Sequence, residues 1–207
     1  GDAGGTKRCA AELLAHFSSD PNTAAGRAEL ATLSGEVMDA DDLYALHEKA
    51  LLTGIDRQAI ATVSASAKRV SVVTAVSPRA LVDIGYVLFE TMRLIRVIAE
   101  LYGGRAGALG TLTLARRVVS HLAITGTISV GEGILQQALG HGIAARISAR
   151  LGEGVINGIM TARVGIAAME VCRPAPFYTL KRPSVSDLLP RILPTRDKTD
   201  LQAETAH

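Results

Sequence analysis

Aromatic residues are scarce. The 207-residue chain has no Trp, and Phe and Tyr together make up only 3% of it. Its apolar share is nevertheless 48%, carried by Ala, Val, Ile and Leu, and mean hydropathy is +0.25. Small aliphatic side chains in this proportion suit close helix–helix packing better than a β-sandwich. Cysteine is equally rare. Cys9 and Cys172 lie far apart at no metal-ligand spacing, which fits two reduced thiols in a cytosolic setting, with a single disulfide as the alternative. A charge excess is missing as well. The net charge of +2 carries no polyanion signature, so nucleic acid is not an expected partner.

Uncharged hydrophobic runs long enough to span a bilayer are also lacking. Residues 81–101 have the length, but they contain Asp83, Glu90, Arg93, Arg96 and Glu100. Each such charge at a helix centre costs roughly 2.5–3.5 kcal/mol on insertion scales. A globular helical domain at a membrane surface fits better. The chain opens on Gly1 with neither an initiator Met nor a signal peptide, so it reads as a piece of a longer protein.

Catalytic motifs are absent too. Residues 1–7 (GDAGGTK) superficially resemble a phosphate loop, but they lack the Gly-Lys-Ser/Thr core and a preceding strand. The five histidines form no pair at metal-ligand spacing on one helix, and no nucleophile elbow occurs. The expectation is a non-enzyme that needs neither cofactor nor metal.

What is present is helical periodicity. Residues 78–102 start with Pro78, where a missing N–H is harmless, and stop at Gly103-Gly104. Arg79, Asp83, Tyr86, Glu90 and Arg93 recur there at steps of four and three, which makes one narrow polar stripe on a helix apolar elsewhere. Such a helix must be surrounded, by other helices or by lipid. The predicted fold is therefore all-α, a multi-helix bundle with a small N-terminal helical unit and a long, largely buried central helix.

Three short helices are expected within 1–54, over roughly 7–19, 24–33 and 39–52, with Thr53-Gly54 as a break. A helical core follows over 55–176. Its residues 70–76 are β-branched enough to tempt a strand, but no partner strand accompanies them. Pro183, Pro190 and Pro194 mark 177–207 as an extended or disordered tail with room for one short turn.

The segment 143–172 carries two further patterns. Arg146, Arg150, Glu153 and Asn157 share one face; Gly154, Gly158, Thr161, Gly165 and Ala168 share another. The small-residue seam invites a close backbone, either within one chain or between two copies in a homo-oligomer. The charged stripes are either internal ion pairs or a docking face for a protein partner, since buried charge has to be paired.

Several stretches together resemble the YcjF-like family of bacterial inner-membrane proteins. They are Ser77-Pro78 with Ala80-Leu81-Val82-Asp83, and Leu94-Ile95-Arg96 with Ala99-Glu100-Leu101-Tyr102-Gly103. Ala144-Ala145-Arg146 with Ser148, Thr161-Ala162-Arg163 and Cys172-Arg173-Pro174 complete the set. The resemblance implies a large helical domain facing the cytoplasm, tethered through an upstream membrane segment absent from this chain. It also implies partnership with a GTPase-like P-loop NTPase, in an envelope-stress setting, and it transfers no catalytic residue. The alternative is a lipid-interacting or membrane-remodelling module, for which the apolar, glycine-rich region 123–171 is the motive.

Overall fold

The computed structural model describes residues 3–33, 38–77, 80–104, 107–124 and 143–192. Among these, every regular element is helical: α1 Ala3–His16, a 3-10 turn Pro21–Thr23, α2 Ala24–Thr32, α3 Ala40–Val76, α4 Ala80–Leu101, α5 Ala108–Ile124, α6 Ile143–Cys172 and α7 Val185–Ile192. The expected all-α class is what the chain adopts.

The long central helix is α3. Its 37 residues reach about 55 Å at 1.5 Å per residue. Asp41 and Asp42 occupy its first turn, where the exposed N–H groups favour negative charge. It stops at Ser77, whose ψ of 132° is extended, because residue 78 is proline and excludes the α conformation before it. The expected break at Thr53-Gly54 is not there, so a boundary at residue 54 would fall inside one continuous helix. Thr53 Oγ1 donates to the Lys49 carbonyl at 2.7 Å, which keeps it within the helical ladder. Gly54 costs about 1 kcal/mol against Ala. Complete burial of Leu51, Leu52 and Ile55 around it outweighs that, at roughly 1.5–3 kcal/mol per side chain. The β-branched run is helical for the same reason: Val70 and Thr74 are buried against neighbours.

Helix α4 runs antiparallel to α3, since Glu90 meets Ser66 while Tyr102 meets Asp56. Among the described residues, other helices of the chain do not surround it on every side. Leu94, Ile95, Ile98 and Ala99 are buried, but Ile84, Leu88 and Phe89 are 62–66% exposed. Its end is a Schellman cap. Gly104 N–H donates to the Ala99 carbonyl and Gly103 N–H to that of Glu100, with Gly103 at φ +84°. The side chain of His16 lies against Gly103, and its Nε2 is 2.8 Å from the Tyr102 carbonyl. A carbonyl only accepts, so Nε2 carries the proton, and α1 is tied to the end of α4.

Helix α6 also packs antiparallel on α3. A Cβ at Gly154 would stand 2.5 Å from the Ser71 carbonyl oxygen, and one at Gly165 would stand 2.6 Å from both Val63 methyls. Glycine is what lets the two axes come this close. Gly158, Thr161 and Ala168 are buried too. At these positions the small-residue seam packs within the chain. Helices α3 and α6 each contain a stretch long and apolar enough to cross a membrane by length and composition, within Ala40–Val76 and over Leu151–Cys172. Both are core helices packed against each other, which meets the same test.

The segment after residue 176 is not an extended tail as far as 192. Leu188 of α7 is 1% exposed and Pro183 is buried. Ser184 and Asp187 form a reciprocal cap: Ser184 N–H donates to Asp187 Oδ2 at 3.0 Å, and Asp187 N–H returns to Ser184 Oγ at 3.3 Å. That cap and an apolar face on Leu188 explain why a proline-bearing stretch folds back. Residues 193–207 lie outside the described residues.

Candidate functional site

Among the described residues, three clusters of charged side chains join different helices. The deepest centres on Arg173, just beyond α6, with its guanidinium 1% exposed. Nη2 donates to Glu48 Oε1 and to Asp56 Oδ2, each at 3.0 Å. Nε lies 3.2 Å from Asp56 Oδ1. Nη1 donates to the carbonyls of Ala175 and Pro176 at 2.6 and 2.7 Å. The guanidinium carbon sits 4.0 Å from the centroid of the Phe177 ring. Two carboxylates face one cation, and three further donors balance the excess. Tyr102 Oη donates to Asp56 at 2.6 Å; the amides of Tyr178 and Thr179 donate to Glu48 at 3.0 and 2.6 Å. Burial alone would raise the Glu48 carboxyl; the Thr179 and Tyr178 amides and then Arg173 outweigh it, holding it below its ordinary value. Burial, then the Asp56 charge and hydrogen bond, push the Tyr102 phenol well up. Glu48 and Asp56 are spent on Arg173 and backbone amides, so the cluster is a clamp joining α3, α4 and the chain after α6.

The second cluster lies between α3 and α4. Glu90, buried, accepts from Ser66 Oγ at 2.8 Å, from Arg69 Nε at 3.0 Å and from Arg93 Nη1 at 3.2 Å. A second Arg69 nitrogen also pairs with it. Burial opposes ionisation, but Arg69 and Ser66 outweigh it and the carboxyl is held low. The third cluster joins α5, α6 and the segment before α7. His121 Nε2 lies 2.7 Å from Glu170 Oε2, and Arg182 Nε donates to Glu170 Oε1 at 2.5 Å. These residues line a cavity of about 270 Å³ that Ser184 also borders. Ser184 Oγ donates to Asp187 Oδ2 at 2.7 Å, so its hydroxyl is committed to capping α7. No group of three metal-ligating side chains occurs among the described residues.

The residues singled out in the sequence therefore separate. Glu90 and Arg93 sit in the second cluster, whose other half on α3, Ser66 and Arg69, was not anticipated. Arg79 lies outside the described residues, as do the side chains of Asp83, Arg146 and Arg150. Glu153 is exposed, whereas Asn157 reaches Thr74 Oγ1 on α3 at 3.4 Å. The Arg173 clamp was missed altogether. One signal could have found it: Glu48 and Asp56 stand eight residues apart on the face of α3 that carries Leu51, Leu52 and Ile55. A carboxylate on a core face needs a cation.

Outside these clusters, two helices carry exposed stripes of mixed character. On α4, Gly85, Phe89, Arg93 and Arg96 follow one another at helical spacing and are all exposed, the two arginines also pairing with Glu90 and Glu100 of the same helix; on α5, Leu112, Arg116 and Val119 follow likewise. The two helices pack side by side.

Residues 38–198 match the family described as "Domain of unknown function (DUF697)". Over 200 residues the chain is 56% identical to a UPF0283 membrane protein of Sinorhizobium medicae (strain WSM419), covering 97% of this chain and 55% of the relative. It is 57% identical over 188 residues to one of Rhizobium meliloti (strain 1021), covering 90% and 52%, and 58% identical over 182 residues to one of Agrobacterium fabrum (strain C58), covering 88% and 51%. The chain thus spans about half the length of these curated relatives. No solved structure matches it.

Proposed function

This chain belongs to the DUF697 family, whose matched relatives bear the name membrane protein, and from that premise we propose that it is a non-enzymatic helical domain of a bacterial inner-membrane protein that docks a protein partner. The observation that carries the proposal is the contrast between the two kinds of side chain. The charges of the three clusters are satisfied within the fold, while large apolar groups on α4 and α5, Ile84, Leu88, Phe89, Leu112 and Val119, stand in solvent. Apolar surface gathered on neighbouring helices and flanked by arginines is the composition of a partner site. The partner's class, a GTPase-like P-loop NTPase, its envelope-stress setting and the cytoplasmic orientation rest on the YcjF-like resemblance. The N-terminal part of α6, with Arg146 and Arg150, is the second proposed contact.

Affinity purification of the full-length protein from its native membrane tests this. Leu88→Asp with Phe89→Asp should reduce a co-purifying P-loop NTPase at least tenfold, as loss of central apolar anchors does, with far-UV circular dichroism unchanged. Undiminished recovery of the NTPase would remove this face from the proposal; recovery of none from the wild type would remove the partner.

A second reading, contact with lipid, draws on the opposite end of the bundle from the Arg173 clamp. Val72 and Val76 close α3 at 55% and 78% exposure, and Leu151 on α6 is also exposed. The packing of Gly154 on Ser71 brings these ends together. Flotation with anionic vesicles at low salt decides it, because surface binding of this kind leaves the protein at the bottom of the gradient when it is absent.

A further inference from the structure

A cavity of about 600 Å³ lies between α1, the first turns of α3 and the chain after α6, within the size range of small-ligand sites. The backbone of Ala175, Pro176 and Tyr178 is shared with the Arg173 cluster, but no charged side chain of the three clusters lines the cavity. The carboxylates at its wall are Glu12 and Asp41, both exposed, and neither Lys nor Arg is among the lining residues. Lys7 and Arg8, although on α1 with Glu12, are exposed outside it. His16 borders it with its Nε2 proton already donated to the Tyr102 carbonyl.

The second feature is Tyr44. It lines the cavity, is only 8% exposed, and its hydroxyl makes no hydrogen bond with the described residues. A hydroxyl without a protein partner on a residue lining a cavity is available to whatever fills that cavity, water or a polar ligand. Burial, and then the Glu48 charge, push the Tyr44 phenol up, with Arg173 pulling the other way. The hydroxyl therefore stays protonated and offers its lone pairs. Tyr178 meets Tyr44 edge-on, with ring centroids 5.7 Å apart and planes at 77°, and Tyr178 is itself 61% exposed.

We propose that this cavity binds an organic cation, an ammonium or guanidinium group. Glu12 and Asp41 supply the opposing charge, Tyr44 Oη accepts an N–H, and the tyrosine rings give a cation–π surface. A free polyamine and a Lys or Arg side chain of a protein present the same chemistry, so two probes are needed. Spermidine and a capped lysine-rich peptide are titrated calorimetrically into the full chain at mildly alkaline pH and low salt. One-to-one binding is expected for at least one of them. Spermidine alone identifies a free polyamine; the peptide alone identifies a side chain.

Glu12→Gln with Asp41→Asn, both at exposed positions, should weaken that binding roughly fivefold or more through lost charge. Tyr44→Phe should weaken it about threefold to tenfold through one lost hydrogen bond. Saturating ligand should also slow alkylation of Cys9, which lines the cavity. The thiol of Cys172, pushed up to about 11 by burial, reacts far more slowly. Silence from both probes at millimolar concentration, or binding indifferent to both the carboxylate and the tyrosine changes, overturns the proposal.

Discussion

At the residue scale, Arg173 decides the most. Its guanidinium and the Glu48 carboxylate are almost entirely out of water, where an unpaired charge is intolerable and a paired one contributes little beyond specificity. Removing the cation alone is therefore far worse than removing a peripheral donor. Arg173→Met should lower unfolding stability by about 3–5 kcal/mol, since two carboxylates are left without their cation. Tyr102→Phe, which deletes one hydrogen bond to Asp56, should cost about 1.5–3 kcal/mol. Urea unfolding followed by circular dichroism measures both. Equal costs, or a change under 1 kcal/mol for Arg173→Met, would mean that the clamp does not hold the bundle. Nothing in the spacing of the sequence joined residues 48, 56, 102 and 173, because the contacts run across 46 to 125 positions of chain. The carboxylates on the apolar face of α3 were the only local sign.

At the element scale, glycine shows how the same residue means different things on different helices. Gly54 in α3 and Gly152 in α6 have open space, with nothing within 4 Å of where a Cβ would stand. Their cost is pure helix propensity, so Gly54→Ala and Gly152→Ala should each stabilise by about 0.8–1 kcal/mol. A Cβ at Gly154 or Gly165 would instead stand 2.5 or 2.6 Å from an atom of α3. There the same change should destabilise by about 1–3 kcal/mol, because the helix axes must part. Differential scanning calorimetry of the four variants checks the signs, and one shared sign would contradict the packing described. Five small residues on one face of 143–172 were legible from their steps of four and three. That α3 is the helix they meet was not. The supposed break at Thr53-Gly54 failed for a related reason: propensity is a matter of tenths to one kcal/mol per residue, and burial of the residues on either side exceeds it.

At the scale of the whole molecule, the clusters make stability depend on acid. Glu48 and Glu90 are both held below their ordinary value of 4.5 in the folded state. The unfolded chain therefore binds more protons as pH falls, and the contribution of these groups is complete above the ordinary value and lost as pH drops through the folded ones. The unfolding free energy from urea titrations should fall between neutral and strongly acidic pH, by up to about 1.4 kcal/mol per pH unit for each proton taken up. Glu90→Gln should flatten that slope; an unchanged slope would show that Glu90 is not held as described. The sequence alone determined that the chain is all-α, where most helices lie, and that charge and small residues occupy particular faces. Period and punctuation are local properties, so a local reading captures them. Only the tertiary structure decided that α3 rather than α4 is the central helix, that residues 177–192 fold back onto it, and which carboxylates share a cation. Those are questions of which surfaces meet, settled by burial summed over distant segments rather than by any one stretch of chain.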